Sequence, residues 1–309
     1  MKKSLLALAA LGAFAGGAFA QSNVTLYGRV DLSAARNFGS DATVMQNGSG
    51  SRFGVTGVED LGGGLKAHFQ VEHRFNADTG AISNPNSFWT GRSIVGLMGG
   101  FGKISLGRDY AASFLGSQLI GDPWGWDTVA STVTAGITGG GIAKVRYDNA
   151  VTYNLAAGPV SVGVQTAIDK STIGKRPLNM SVGFGAGPVK ASFAYEKPNQ
   201  TSTKEKVMTA NVAASFGGFT VGGHITDGKT AADAKVKAYL VWGTAKLGAG
   251  ELRAGLGQRK VGGTKNISAL VAGYHHSVSK RTTLYADFGR NSKLASNKSA
   301  VDFGIKHNF

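Results

Sequence analysis

The sequence has 309 residues, of which 47 are glycine, none is cysteine and only 17% are charged. Without cysteine, a small secreted fold held by disulfides is excluded, so the chain must be stabilised in another way. Lysine and arginine outnumber aspartate and glutamate by 15. Such an excess usually points to nucleic acid, an anionic membrane face or anionic solutes.

The first twenty residues have the three-part pattern of a secretory signal. Met1-Lys2-Lys3 is a positive start, 5–14 is an apolar centre, and Ala18-Phe19-Ala20 is the small-x-small site at which such signals are cut. We therefore predict a cleaved signal peptide at 1–20 and one domain at 21–309. The alternative, a retained helical anchor, is disfavoured because the apolar stretch is short and rich in alanine and glycine.

Export limits the partners that the excess positive charge can serve. Removal of Lys2 and Lys3 leaves 31 basic and 18 acidic residues, a net charge of +13. An exported chain meets no nucleic acid, so the excess must serve an anionic solute, anionic lipid headgroups or solubility. No stretch after Gln21 approaches the roughly 20 apolar residues that a membrane-spanning helix needs.

The dominant pattern after the signal region is an alternation of apolar and polar residues. In the first run, Leu26 and Val30 fall on one face of a strand, and Arg29 and Asp31 fall on the other. The last run alternates in the same way and ends on Phe309. Repeated alternating strands, with no stronger apolar segment, are what a closed barrel in an outer membrane requires.

Sixteen strands are predicted, and seven short, turn-like connections alternate strictly with eight longer polar ones. The strands are 24–37, 51–59, 64–74, 88–98, 102–109, 144–156, 159–169, 178–186, 188–197, 206–216, 218–227, 235–247, 250–259, 266–277, 281–291 and 299–309. The alternation of apolar and polar residues along each strand fits a soluble β-sandwich as well as a membrane barrel. The export signal and the alternation of short turns with long loops favour the transmembrane barrel.

One connection is much longer than the rest. Between Tyr110 and Lys144 about 33 residues lack a strand pattern, far above the usual connection length. The segment contains Asp122, Asp127 and two tryptophans but no other charged residue. A disordered outer loop is one interpretation. The other is a loop folded back into the barrel, where it would narrow the lumen.

Several short motifs carry a resemblance to a known family. They are Leu26-Tyr27-Gly28-Arg29, Ser51-Arg52-Phe53-Gly54-Val55, Glu59-Asp60-Leu61-Gly62, Gly107-Arg108-Asp109-Tyr110, Arg146-Tyr147-Asp148-Asn149-Ala150-Val151-Thr152-Tyr153 and the terminal Phe309. The order and spacing of these motifs resemble those of the general diffusion porins of Gram-negative outer membranes, most closely the β-proteobacterial type. The resemblance runs over the whole mature chain.

The resemblance implies an all-β fold, a sixteen-stranded antiparallel transmembrane barrel whose third outer loop folds inward. It also implies a homotrimer in the outer membrane, in contact with membrane lipid and lipopolysaccharide. Phe309 would be the signal that the barrel-assembly machinery reads. Neither a cofactor nor a nucleic-acid partner is expected.

The resemblance further implies a constriction at which basic wall residues face acidic residues. The basic positions are Arg29, Arg52, Arg92 and Arg146, and the acidic positions are Glu72, Asp109, Asp122 and Asp127. Parity independently points Arg29, Arg52 and Arg146 to the polar face. Asp122 and Asp127 are the expected partners on the loop, although the sequence around Asp122 departs from the family pattern.

These residues predict a passive channel with a preference for small anions, because arginine stays charged at any relevant pH. The alternatives are an outer-membrane barrel enzyme and a secreted β-rich adhesin. An enzyme needs a nucleophile or water beside a positioned base, and no motif suggests one. Metal binding is not expected, because the adjacent His275 and His276 point to opposite faces of a strand.

Overall fold

The computed structural model describes residues 23–169 and 173–309, so the predicted signal peptide lies outside the described residues. It contains seventeen strands, a π-helical turn (Phe114–Gln118) and one α-helix, α1 (Thr128–Thr138). The strands are β1 (Asn23–Arg36), β2 (Thr43–Gln46), β3 (Ser51–Gly62), β4 (Leu65–Phe75), β5 (Arg92–Gly99), β6 (Gly102–Tyr110), β7 (Arg146–Ala157), β8 (Val160–Ala167), β9 (Leu178–Ala186), β10 (Val189–Lys197), β11 (Lys206–Phe216), β12 (Phe219–Lys229), β13 (Lys235–Leu247), β14 (Gly250–Val261), β15 (Thr264–Ser277), β16 (Thr282–Asn291) and β17 (Ser299–Asn308).

Sixteen of these strands form one closed antiparallel sheet. Each pairs with its neighbour along the chain, and β1 closes the barrel by pairing with both β3 and β17. All sixteen predicted strands are present. The additional strand, β2, has four residues and pairs only with the end of β1, within the first long loop. Because the sheet is closed, it has no free edge, and the strands' backbone groups can pair within it.

The two faces of the wall differ as the alternation predicts. In β13, Tyr239 and Val241 are 45% and 60% exposed, whereas Leu240 between them is fully buried. Leu240 belongs to a cluster with the helical residues Val133 and Ile137. The buried face therefore points into the lumen, and the exposed apolar face points outward to the membrane.

The long connection after β6 lies inside the barrel. Trp124 and three residues of α1 pack against Leu240, Val271 and neighbouring lumen residues of β13 and β15. The helix was not predicted, since its sequence is rich in β-branched residues that favour helix weakly. Packing against the barrel wall stabilises the helix, because its intrinsic helix propensity is low. No helix in the described ranges is long and apolar enough to cross a membrane.

Candidate functional site

A row of arginines crosses three adjacent wall strands. Arg29 of β1 is the cross-strand neighbour of Arg52 of β3, and Arg52 is in turn the neighbour of Arg74 of β4. Like charges directly opposite each other on a sheet are destabilising, so such a row needs compensation. Arg74 was not among the predicted site residues, although its parity places it on the polar face.

Tyr110 brings three arginines together. Its hydroxyl accepts hydrogen bonds from Nη2 of Arg74 and Nη2 of Arg146, both at 2.6 Å. The guanidinium carbons of Arg146 and Arg92 lie 4.1 and 4.8 Å from the centre of its ring. A ring face attracts a cation at this distance. Tyr110 was also missed as a site residue, and the signal available in the sequence was its place between a wall strand and the long loop.

Two wall carboxylates partly balance this cluster. Glu72 accepts a hydrogen bond from Nε of Arg74 at 3.0 Å, and Asp109 accepts one from Nε of Arg92 at 2.8 Å. Both carboxylates are buried. Arg74 and Arg92 are therefore held in fixed positions by charge-assisted bonds.

Arg52 and Arg146 have a different environment. Neither forms an ion pair with any residue in the described part of the chain. Arg52 donates from Nε to the carbonyl of Gly50 at 2.9 Å. Its guanidinium group is therefore held in position without a carboxylate to neutralise its charge. Three carboxylates, Glu72, Asp109 and Asp127, form ion pairs with three of the five arginines, which leaves Arg52 and Arg146 unpaired among the described residues.

The loop contributes Asp127 to the site. Its Oδ2 lies 3.3 Å from Nη1 of Arg29. Burial raises the pKa of Asp127 to about 6, although the positive charge of Arg29 acts in the opposite direction. Asp127 immediately precedes α1, and the next residue, Thr128, donates its N–H to the carbonyl of Gly48 at 2.7 Å. The start of the helix is thus fixed beside the arginine row.

Asp122 lies in the interior of the loop. It accepts hydrogen bonds from the N–H groups of Trp124 and Trp126 and from the hydroxyls of Ser131 and Thr134, at 2.9 to 3.2 Å. Burial raises its pKa above the ordinary aspartate value. None of its hydrogen bonds within the described ranges goes to an arginine, so its contacts organise the loop itself.

Three other carboxylates tie the loop to the wall, and sequence reasoning did not find them. Glu196 accepts from Ser113 and Gln118 of the loop at 2.7 and 3.1 Å. Asp287 accepts from Nε1 of Trp124 at 2.7 Å, and Asp302 accepts from the N–H of Val129 at 3.1 Å. In the part of the chain that the structure describes, no group of three or more potential ligands could hold a metal ion.

A closed sixteen-stranded barrel with an apolar outer face and a charged lumen narrowed by an internal loop defines an outer-membrane channel. Residues 7–295 match the family model described as Gram-negative porin. The chain belongs to the Gram-negative porin family. Membership sets aside the alternatives of a barrel enzyme and a secreted adhesin.

Individual relatives agree with this assignment. The chain is 32% identical to outer membrane porin protein 32 of Delftia acidovorans, over 99% of this chain and 93% of the relative. It is 27% identical to an outer membrane porin protein of Bordetella pertussis, over the whole of both chains. Among solved structures, the anion-selective porin from Comamonas acidovorans matches with a TM-score of 0.76 and 25% identity, covering 93% of this chain and all of that one.

Proposed function

We propose that this porin lets small hydrophilic solutes cross the outer membrane passively and prefers anions, with the arginine cluster beside α1 as its constriction. The observation that carries the proposal is that Arg52 and Arg146 stand without an ion-pair partner among the described residues. The similar protein from Comamonas acidovorans is an anion-selective porin, which supports the same sign here.

The physical basis is the size of the gap at the loop. Two unit charges about 4 Å apart interact by roughly 1 kcal/mol in bulk water and several-fold more at a lower effective dielectric constant. Screening in physiological salt sets in over about 8 Å. Arginines in a narrow gap therefore act on passing ions, whereas charges around a wide vestibule act weakly.

Selectivity measurements test the proposal. In a potassium chloride gradient across a planar bilayer, the zero-current potential should indicate chloride preference. The double substitution Arg52→Gln and Arg146→Gln should shift this potential toward potassium. The matched control is Arg36→Gln with Arg290→Gln, two exposed arginines on the outer face of β1 and β16, which should leave it unchanged. Potassium preference in the unmodified protein would refute the sign.

The same proposal includes the assembly and its partners. A homotrimer, contact with outer-membrane lipid and lipopolysaccharide, and recognition of Phe309 by the barrel-assembly machinery all follow from the resemblance to porins. In the folded barrel, the main chain of Phe309 exchanges two hydrogen bonds with Gly28 of β1, at 2.9 and 3.1 Å. Native mass spectrometry of the detergent-extracted protein should give the mass of three chains, and a mass of one chain would contradict the trimer.

A further inference from the structure

A second basic pocket lies in the lumen, between the loop and the rim that carries the short turns. Its volume is about 390 Å³. The side chains that matter are Lys246, Glu251, Arg253, His275, Thr283 and Lys306. The backbone at Gly248–Gly250 forms its lower boundary. It is separate from the cluster around Tyr110, and no step of the proposed selectivity uses it.

The register of five neighbouring strands assembles this pocket. Lys246, Glu251 and His275 are successive cross-strand neighbours on β13, β14 and β15. Thr283 of β16 is the neighbour of Lys306 of β17. Cross-strand neighbours project to the same face, here the lumen. Side chains far apart in the sequence therefore converge at one height.

Arg253 forms the upper boundary of the pocket. Its Nη1 donates to the carbonyl of Pro123 in the loop at 2.8 Å, and its Nε donates to Oε1 of Glu251 at 2.9 Å. The guanidinium is thus held in place from both sides. A solute that has passed the loop meets this pocket before it reaches the short-turn rim, which is the periplasmic end of such barrels.

Two ammonium groups of the pocket have no bonded partner among the described residues. Lys246 and Lys306 form no side-chain hydrogen bond or ion pair with any residue in 23–169 or 173–309. The lining holds three cations, Lys246, Arg253 and Lys306, and one carboxylate, Glu251, an excess of two positive charges. Asp31 is the cross-strand neighbour of Lys306 but is not part of the lining, and its oxygens accept hydrogen bonds from Ser49 and Tyr285.

His275 lies beside a buried carboxylate. Its Nε2 lies 3.1 Å from both carboxylate oxygens of Asp287, which also accepts the bond from Trp124. Asp287 is fully engaged by these partners and buried. The imidazole therefore forms part of the pocket wall and is held against Asp287.

We propose that this pocket binds a small oxyanion with two negative charges, of the phosphate and sulfate class, on the periplasmic side of the loop. The proposal rests on the anion preference proposed above. The N–H groups of Arg253 that do not bond to Glu251 or Pro123, two ammonium groups and the Thr283 hydroxyl present several donors, which suits the acceptor oxygens of an oxyanion. Chloride can use fewer of these donors, and a monoanion leaves one positive charge unmatched.

Calorimetric titration with sodium sulfate tests binding directly, because sulfate stays divalent throughout the neutral range. The full protein in detergent should bind sulfate, and the double substitution Lys246→Gln and Lys306→Gln should weaken binding at least tenfold. The matched control is Lys66→Gln with Lys190→Gln, two lumen-facing lysines of β4 and β10 outside the pocket. It should bind like the unmodified protein. All three proteins are first compared by their mobility on unheated gels, which reports folded barrels.

Conduction gives a second readout. Sulfate added on the short-turn side should reduce the chloride current at lower concentrations than sulfate added on the loop side. Lys246→Gln with Lys306→Gln should abolish this difference. Absence of sulfate binding, or equal weakening in the pocket and control variants, would overturn the site. A potassium preference in plain potassium chloride would instead overturn the anion preference, whether or not sulfate binds. If the glutamine variant does not fold, Lys246→Met with Lys306→Met replaces it.

Discussion

Asp302 of β17 accepts a hydrogen bond at 3.1 Å from the backbone N–H of Val129, which lies 173 positions away in the first turn of α1. The first N–H groups of a helix lack partners within the helix, and a carboxylate there also matches the positive end of the helix dipole. Asp127, at the usual capping position, makes no capping bond. Its side chain is turned to Arg29 instead, so the wall supplies the cap.

We expect Asp302→Ala to loosen the start of α1, because loss of a helix cap costs about 1 kcal/mol. The loop should then move more, which would raise the open-state noise of single-channel currents and speed hydrogen exchange at Val129. The control is Asp227→Ala, an acidic residue of β12 that lies 4.0 Å from Lys237 and does not touch the loop. Unchanged noise and exchange in Asp302→Ala would show that other contacts hold the helix.

The raised pKa of Asp127 predicts a pH-dependent selectivity. As the pH falls through about 6, this carboxylate should become protonated and lose its negative charge. Arg29 then has no charged partner, so chloride preference should increase between pH 7.5 and 4.5. At pH 7.5, Asp127→Asn should already show the increased chloride preference that the unmodified protein shows at pH 4.5. Zero-current potentials measured across this range provide the test.

The comparison needs a matched carboxylate outside the constriction. Asp148→Asn serves, since Asp148 is exposed and pairs with Arg108 instead of an arginine of the constriction. It should keep the full pH dependence of the unmodified protein. A pH dependence of equal size in Asp127→Asn would assign the titration to another group.

Tyr110→Phe should disperse the arginine cluster. The substitution removes the hydroxyl that accepts from Arg74 and Arg146 but keeps the aromatic ring. Hydrogen bonds to charged groups are worth about 1.5 to 3 kcal/mol each. We expect a lower melting temperature and a changed single-channel conductance. Tyr239→Phe is the control, because Tyr239 lies on the exposed outer face and should tolerate the change. An unchanged conductance in Tyr110→Phe would remove Tyr110 from the constriction.

The position of Phe309 requires a glycine at residue 28. A Cβ added at Gly28 would lie 2.2 Å from the ring of Phe309 and 2.8 Å from the carbonyl of Arg52. We therefore expect Gly28→Val to impair closure between β1 and β17 and to lower the yield of folded barrel on unheated gels. Gly223→Val is the control, since a Cβ there meets no atom within 4 Å. Equal yields from the two variants would contradict the steric argument.

The fold was predictable to the level of individual strands. All sixteen barrel strands were found, because one alternating pattern repeats and every run is bounded by a turn or loop. The short strand β2 was missed, since four residues that pair with the end of β1 have too little pattern of their own. Helix α1 was missed because its β-branched sequence has weak helix propensity, and only the wall against which it packs stabilises it.

The candidate site was predictable only in part. Parity placed Arg29 and Arg52 on the lumen face, and the register makes them neighbours. Parity could not distinguish Asp127, which reaches Arg29, from Asp122, which is enclosed by the loop. The difference between these two aspartates depends on how α1 lies against strands more than a hundred residues away.

The sequence by itself determined the barrel, its two faces and its positive charge, because alternation and turn chemistry act between residues close in the chain. The tertiary structure alone decided which carboxylates reach the arginines, that Tyr110 gathers three of them, and that Asp302 caps α1. These contacts join segments that are remote in sequence. No local pattern encodes them, since they depend on the closure of the barrel and on the position of the loop inside it.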